Sequence, residues 1–210
     1  MTGRWVSGRA FAASGRESQD VVVVFTVEDG LLVVVADGAG GISGGRAAAE
    51  AVVGAVRALV AAGGHLDPDR PVRHLRSVDD GLVTRAAGET TAVVVVVTNA
   101  GVLGASVGDS EAWIVTATGI DDLTAAQDRG RLGSGRADPK VLQRAFRGGK
   151  LVVGTDGLFK YLPREVIAEI ARAQDPQAAG DEMVRRVRLP SGTLVDDVAV
   201  IVVAVDRAPT

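Results

Sequence analysis

The sequence contains no cysteine and only two histidines among its 210 residues. The lack of cysteine excludes disulfides, thiolate zinc sites and cysteine nucleophiles, and two histidines are too few for most histidine metal sites. Aromatic residues make up only 3% of the chain although apolar residues make up 47%. The apolar excess lies in valine and alanine, a composition typical of valine-rich strands and alanine-faced helices.

Long apolar stretches and blocks of like charge are also missing. No run approaches the length of a membrane span, and the first ten residues lack the apolar stretch of a signal peptide, so we expect a cytoplasmic protein with no membrane partner. The formal net charge is −3 and the pI is near 5.4, which argues against nucleic-acid binding because that needs a basic surface. The length suits one domain over residues 1–210, and we expect a monomer.

Short valine-rich runs and amphipathic segments follow one another along the chain. A hairpin is predicted around Asp29-Gly30, then a helix capped by Ser43 and a second helix after Asp69. Three strands at 90–98, 102–107 and 112–116 precede an irregular excursion over 119–149, with a short helix around 141–146. The last predicted elements are a strand at 151–154, helices at 163–173 and 176–187, and a strand at 198–205. Strands grouped apart from helix pairs predict an α+β layered fold.

Three aspartates stand where valine-rich runs begin or end. Asp37 and Asp156 follow such runs, and Asp196 lies two residues before another. Carboxylates at the rim of a rigid sheet are well placed to meet around a hard cation, which prefers oxygen ligands. Either Asp-Gly pair alone could be an ordinary turn, as at Asp29, so the interpretation rests on the combination.

Six short motifs occur in one order, and the match that they define covers almost the whole chain, roughly residues 4–205. They are Gly15-Arg16-Glu17-Ser18-Gln19-Asp20, Ala36-Asp37-Gly38-Ala39-Gly40-Gly41, Gly88-Glu89-Thr90-Thr91-Ala92, Val107-Gly108-Asp109-Ser110, Gly154-Thr155-Asp156-Gly157-Leu158-Phe159 and Asp196-Asp197-Val198-Ala199-Val200-Ile201-Val202-Val203. Each motif alone is weak, but six in register are hard to explain by chance. This set resembles the protein phosphatase 2C family, also called the PPM or metal-dependent protein phosphatases, and its bacterial members in particular.

The resemblance implies a four-layer α-β-β-α sandwich, in which two antiparallel sheets are flanked by helix pairs. It also implies two Mg²⁺ or Mn²⁺ ions in the cleft between the sheets and, as in bacterial relatives, a weaker third. Carried over by position, Asp37 would bridge the two ions and the carbonyl of Gly38 would bind one of them. Asp156 and Asp196 would complete the ligands of the other ion.

The same match implies roles for three further residues. Asp20 would act through indirect or water-mediated contacts, Asp109 would help to hold the third ion, and Arg16 would grip the substrate phosphate. With Asp37, Asp156 and Asp196, Arg16 forms the implied catalytic set. The implied activity is hydrolysis of phosphoserine or phosphothreonine in targets of a serine/threonine kinase, by a hydroxide that bridges the ions.

The sequence departs from the family pattern at three points, and two of them, Gln19 and the short segment before Asp156, keep a second function open. Gln19 replaces a glutamate, and Ala39 takes the place of a histidine that eukaryotic members carry. The segment between Ser110 and Asp156 is short, so we expect a trimmed, mobile flap at 119–149. The alternative is a pseudophosphatase that binds a phosphoprotein or a partner without turnover. The clustered carboxylates argue against it, because a retired site has no need for groups that repel one another.

Overall fold

The computed structural model describes residues 4–15, 17–39, 44–63 and 69–206. The strands in these ranges are β1 (Arg4–Ala12), β2 (Asp20–Val27), β3 (Gly30–Asp37), β4 (Ala92–Thr98), β5 (Gly101–Val107), β6 (Glu111–Val115), β7 (Ile120–Asp122), β8 (Lys140–Arg144), β9 (Lys150–Gly154) and β10 (Val198–Asp206). The helices are α1 (Gly45–Ala61), α2 (Asp69–Arg85), α3 (Asp156–Phe159), α4 (Arg164–Ala173) and α5 (Pro176–Val187). The predicted cap of α1, Ser43, lies outside the described residues.

The strands form two five-stranded antiparallel sheets. The first has the order β1-β10-β9-β6-β7 and the second the order β2-β3-β4-β5-β8. One apolar cluster joins inner side chains of both sheets, a second packs α4 and α5 on the first sheet, and a third packs α1 and α2 on the second. This is the four-layer α-β-β-α sandwich, and the predicted fold class is confirmed.

The continuous valine runs follow from this layering. In β3, Val33 and Val35 face the other sheet, whereas Val34 and Ala36 pack towards the helices. Successive side chains of a strand point to opposite faces. A strand that is covered on both faces must therefore be apolar at every position, and β4 is buried along its whole length.

The start of α5 agrees with the prediction from the sequence. The Asp175 side chain accepts hydrogen bonds from the backbone N–H groups of Gln177 and Ala178, at 3.0 and 3.1 Å, and Pro176 occupies the first turn. This is the N-terminal cap expected from the Asp-Pro pair.

No helix in the described ranges is long and apolar enough to cross a bilayer.

Four elements differ from the prediction: β8 forms where a helix was expected, and β1, β7 and α3 were not predicted. The helix expected around residues 141–146 is wrong: the segment forms β8, which pairs with β5 at the edge of the second sheet. Leu142 is its one buried residue, between exposed neighbours on either side, so the spacing suits a strand with one covered face. Strand β1 was not predicted because its polar and glycine residues obscure the alternation of apolar and polar side chains that is typical of a strand. It pairs along its full length with β10 at the edge of the first sheet.

The excursion over 119–149, expected to be a trimmed, mobile flap, is tied to the body of the protein by several contacts. Leu132 is fully buried and exchanges backbone hydrogen bonds with Thr90, at 3.0 and 2.9 Å. The buried carboxylate of Asp79, on α2, accepts hydrogen bonds from the backbone N–H groups of Gly133 and Gly135, at 2.6 and 3.4 Å. These contacts anchor the glycine-rich turn against α2.

Candidate metal centre

Three of the predicted aspartates converge between the two sheets. Asp37 is the last residue of β3 in the second sheet, Asp156 follows β9 of the first sheet, and Asp109 lies in the turn from β5 to β6 that joins the sheets. One carboxylate oxygen from each lies within 4.8 Å of the other two. Residues far apart in the sequence thus form a compact set of oxygen donors.

The Thr90-Thr91 pair holds two of these aspartates in place. The Thr90 hydroxyl donates to the carbonyl of Asp37 at 2.9 Å, and the backbone N–H of Asp37 donates to the Thr91 hydroxyl at 3.1 Å. The Thr91 and Ser110 hydroxyls form a buried hydrogen bond of 2.6 Å. The end of β3 is therefore linked through threonine side chains to the turn that carries Asp109.

Asp20 supports the cluster from the start of β2. It lies directly opposite Asp37 in the β2–β3 ladder, and the two carboxyl groups share a hydrogen bond. The Thr155 hydroxyl donates a second hydrogen bond to Asp20 at 2.8 Å. Asp20 thus contacts Asp37 but is not one of the three aspartates whose oxygens lie within 4.8 Å of one another.

Burial makes both of these carboxyl groups poor acids. It raises the pKa of Asp37 to about 9, with repulsion from Asp20 and Asp156 adding to the effect. It also raises the pKa of Asp20 to about 7, against the opposing hydrogen bonds from Thr155 and Asp37. The pair consequently retains a proton near neutral pH, and a divalent cation would be the natural replacement for it.

Asp196 faces the same cleft from the loop before β10. It lines a cavity of about 220 Å³ together with Asp37 and Gly38. Burial raises the pKa of Asp196, and repulsion from Asp156 and Asp197 contributes. Among the described residues, however, the group of three oxygens within 4.8 Å does not include Asp196.

Gly38 and Gln19 both line this cavity. A Cβ atom at Gly38 would lie 2.4 Å from the backbone of Gly45 at the start of α1, so only glycine fits there. The Gln19 amide faces the carbonyl oxygens of Gly38 and Ala39, and with its nitrogen turned towards them it donates at 3.1 and 3.2 Å. Gln19 therefore orients the carbonyl that the resemblance assigns to a metal ion, which a glutamate could not do in the same way.

The adjacent Asp197 has a separate task that the sequence interpretation missed. Its carboxylate accepts hydrogen bonds from the backbone N–H and hydroxyl of Ser14, at 2.7 and 2.8 Å, and from the backbone N–H of Gln19, at 2.8 Å. Burial opposes ionisation of Asp197, but these bonds outweigh it and lower its pKa. The Asp-Asp pair before β10 was the available signal. Arg16 lies outside the described residues, and its sequence neighbours Gly15 and Glu17 line the cavity.

Lys160 is a second residue that the sequence interpretation missed. Its ammonium group is hydrogen-bonded to the carboxylate of Asp156, one helical turn earlier, and lies 4.0 Å from Oδ2 of Asp109. The hydrogen bond to Asp156 raises the pKa of Lys160. A spacing of four residues was visible in the sequence, but α3 itself was not predicted.

The donor set fits a hard divalent cation. The three clustered side chains offer only carboxylate oxygens, the ligands that Mg²⁺ and Mn²⁺ prefer. Oδ1 of Asp109 is buried and has no hydrogen-bond partner among the described residues. A buried, unpartnered carboxylate oxygen beside two other carboxylates is the kind of atom that a cation stabilises.

Comparison with known proteins identifies the fold. No protein-family model matches the sequence, and no significant match was found among curated proteins. The serine/threonine phosphatase Stp1 from Staphylococcus aureus superposes with a TM-score of 0.83 at 18% identity, covering 99% of this chain and 96% of that one. The PPM Ser-Thr phosphatase MsPP from Mycobacterium smegmatis, solved with cacodylate, gives 0.78 at 20% identity and covers 96% and 98%.

A third structure carries metal ions. The catalytic domain of the serine threonine protein phosphatase PstP, in complex with two manganese ions, gives a TM-score of 0.78 at 18% identity and covers 97% of this chain and 98% of that one. The chain thus has the fold of the bacterial PPM serine/threonine phosphatases over nearly its full length. The resemblance inferred from the six motifs is confirmed at the level of the fold.

Proposed function

We propose that this chain is a metal-dependent protein serine/threonine phosphatase. A shared fold does not by itself assign an activity, so the proposal rests on the site. The observation that carries it is the meeting of Asp37, Asp109 and Asp156, whose oxygens lie within 4.8 Å of one another between the two sheets. The solved phosphatases with this fold support the same reading, and one of them holds two manganese ions.

The ligands of two ions are proposed by position. Asp37 and the carbonyl of Gly38 would serve one ion, and Asp156 and Asp196 would complete the other, with Asp37 shared. When bound, Mg²⁺ or Mn²⁺ ions supply Lewis-acid chemistry: they lower the pKa of water and neutralise phosphate oxygens. Asp109 lies beside this set, within 4.8 Å of the oxygens of Asp37 and Asp156.

The chain's own groups position these ligands and the substrate. Asp20 orients Asp37 through their shared hydrogen bond, and Thr155 orients Asp20. Asp197 holds Ser14 and Gln19, which flank Arg16 in the sequence. Arg16 would bind the phosphate of a phosphoserine or phosphothreonine side chain in bidentate fashion. Ala39 offers no proton, so the serine or threonine oxygen released when the P–O bond breaks would take its proton from water. A phosphoprotein substrate made by a serine/threonine kinase, a monomeric state and a cytoplasmic location stay predictions.

The proposal is tested by hydrolysis of p-nitrophenyl phosphate and of a phosphothreonine peptide with Mn²⁺, with and without EDTA. Asp37→Asn and Asp156→Asn should each reduce the rate by more than the roughly 10–100-fold that loss of an outer hydrogen-bond partner costs at metal sites. Asp29→Asn is the matched control, since Asp29 also precedes a glycine but lies exposed in the β2–β3 turn. Full activity in both site variants, or activity that persists in EDTA, contradicts the proposal.

A pseudophosphatase is the second candidate, and one observation favours it. Lys160 already neutralises Asp156, one of the proposed ligands, in the described structure. A binding module would retain the phosphopeptide, measured by fluorescence anisotropy, with no turnover at any Mn²⁺ concentration. Turnover that depends on Asp156 excludes this alternative.

A further inference from the structure

Lys160 has an unusual position for a lysine at the end of a short helix. Its side chain is 53% exposed, yet its ammonium group is directed at two of the three clustered carboxylates, those of Asp156 and Asp109. An exposed pair four residues apart normally contributes little to stability. Here the pair lies inside a group of acids that repel one another, so the positive charge affects the whole cluster.

Asp109, the second carboxylate near the Lys160 ammonium group, is held in place by the excursion over 119–149. The backbone N–H of Gly108 donates to the carbonyl of Asp128 at 2.8 Å, and the Gln127 side chain donates to the carbonyl of Ser110 at 2.8 Å. These bonds from the excursion fix the residues on either side of Asp109. The carboxylate of Asp109 is thus presented towards Lys160 by the backbone of its own turn.

The Lys160 ammonium group lies beside both of the carboxylates that a further cation between Asp109 and Asp156 would use. Asp109 is the residue that the resemblance assigns to a third, weaker ion, and an ion held by Asp109 and Asp156 would have to displace Lys160. A divalent cation and an ammonium group compete for the same oxygens, and their mutual repulsion at a few ångströms is large even with strong screening.

We propose that Lys160 is a built-in cation of this centre: it takes the place of the third ion between Asp109 and Asp156, so that the site binds two divalent ions and no more. This inference rests on the proposed metal centre and goes beyond it, because it assigns Asp109 to the chain's own ammonium group. It makes Lys160 a positioning residue for Asp156.

The test counts bound ions on the full chain. Mn²⁺ is titrated into the wild type, Lys160→Met, Lys160→Arg and Lys140→Met, with free Mn²⁺ followed by electron paramagnetic resonance and heat by calorimetry. Lys160→Met removes the charge and keeps the length, whereas Lys160→Arg keeps the charge. Lys140 pairs with Asp138 on the surface, so Lys140→Met controls for the loss of one positive charge elsewhere. Circular dichroism checks that each variant is folded.

Lys160→Met should bind one ion more than the wild type, and the other two variants should bind the same number as the wild type. Adding Asp109→Asn to Lys160→Met should abolish the extra ion. The inference is overturned if Lys160→Met binds the same number of ions with affinities within about twofold of the wild type. It is also overturned if Asp109→Asn alone removes an ion from the wild type.

The two proposals can fail separately. If the wild type binds Mn²⁺ and hydrolyses the phosphopeptide while Lys160→Met gains no ion, only the inference about Lys160 fails. If the wild type binds no Mn²⁺ but Lys160→Met gains an ion that Lys160→Arg does not, the two-ion phosphatase fails and the role of Lys160 stands. If no variant binds Mn²⁺, both are wrong.

Discussion

The Thr155 hydroxyl donates a hydrogen bond to the Asp20 carboxylate at 2.8 Å and accepts one from the backbone N–H of Ala199 at 3.0 Å. Both side chains are buried; Thr155 directly follows β9 of the first sheet, and Asp20 begins β2 of the second. This contact joins the end of β9 to the start of β2. It sets the position of the Asp20–Asp37 pair relative to Asp156, the residue next to Thr155.

Replacing Thr155 by valine keeps the shape and removes the hydroxyl. We expect a loss of about 1–3 kcal/mol in the free energy of unfolding, because Asp20 and the Ala199 N–H each lose a buried partner. Mn²⁺ affinity should fall by roughly 10–100-fold, the usual effect of removing a group that orients a metal ligand. Urea denaturation and Mn²⁺ titration measure the two effects. Thr155→Ser, which retains the hydroxyl, should stay close to the wild type, and equal losses in both variants would contradict the assignment.

Changing Gln19 to glutamate reverses the polarity of the group that faces the Gly38 carbonyl. Without metal, the carboxylate would meet two carbonyl oxygens and could donate to neither, so we expect the apo protein to lose about 1–3 kcal/mol of stability. The added negative charge should tighten Mn²⁺ binding. Thermal melts with EDTA and with Mn²⁺ give both results. Gln143→Glu, on the exposed face of β8, is the control, and an unchanged apo melt for Gln19→Glu would show that its amide does not donate as described.

The raised pKa values of Asp37 and Asp20 predict that the metal-free protein loses stability as the pH rises. In the unfolded chain both carboxyl groups ionise near their ordinary pKa of 3.8, whereas in the folded chain they retain protons up to about pH 9 and about pH 7. The folded state therefore binds more protons throughout this interval, and its stability falls as the pH increases through it.

Thermal unfolding in EDTA between about pH 5 and pH 9 measures this effect. Mn²⁺ should remove most of the decline, because the ion stabilises the ionised carboxylates, and its affinity should increase over the same range. Asp37→Asn cannot ionise and should show a flatter profile. A melting temperature in EDTA that rises with pH would contradict the assigned pKa values.

The hydrogen bonds between the excursion and α2 predict that replacing Asp79 and replacing its neighbour Asp80 have different effects on proteolysis and stability. Asp79→Ala removes the buried carboxylate that holds Gly133 and Gly135, so we expect faster opening of the glycine-rich turn and faster trypsin cleavage after Arg131 and Arg136. Stability should fall by about 1–3 kcal/mol.

Asp80→Ala is the matched control, because Asp80 is exposed on the same helix. Its cleavage rate, measured by limited proteolysis at equal enzyme concentration, should equal that of the wild type. Rapid cleavage of the wild type itself would support the mobile flap that the short segment predicts.

Much of the fold follows from local patterns. The valine runs predicted the central strands because a strand covered on both faces must be apolar at every position, and the Asp-Pro pair predicted the start of α5. The segment around 141–146 was misassigned because a short run with few apolar residues suits a helix or an edge strand equally well. Only its pairing with β5 decided between them.

The sequence by itself determined which residue types end which strands, and hence that Asp37, Asp156 and Asp196 lie at the edges of rigid sheets. The tertiary structure decided which carboxylates meet, that Asp197 binds Ser14 and Gln19 whereas Asp196 does not, and that Lys160 lies close to Asp109 and Asp156. The physical reason is the distance along the sequence over which each kind of interaction acts. Strand and helix patterns reflect what each residue faces a few positions away, whereas the contact between Thr155 and Asp20 depends on how two separate sheets pack.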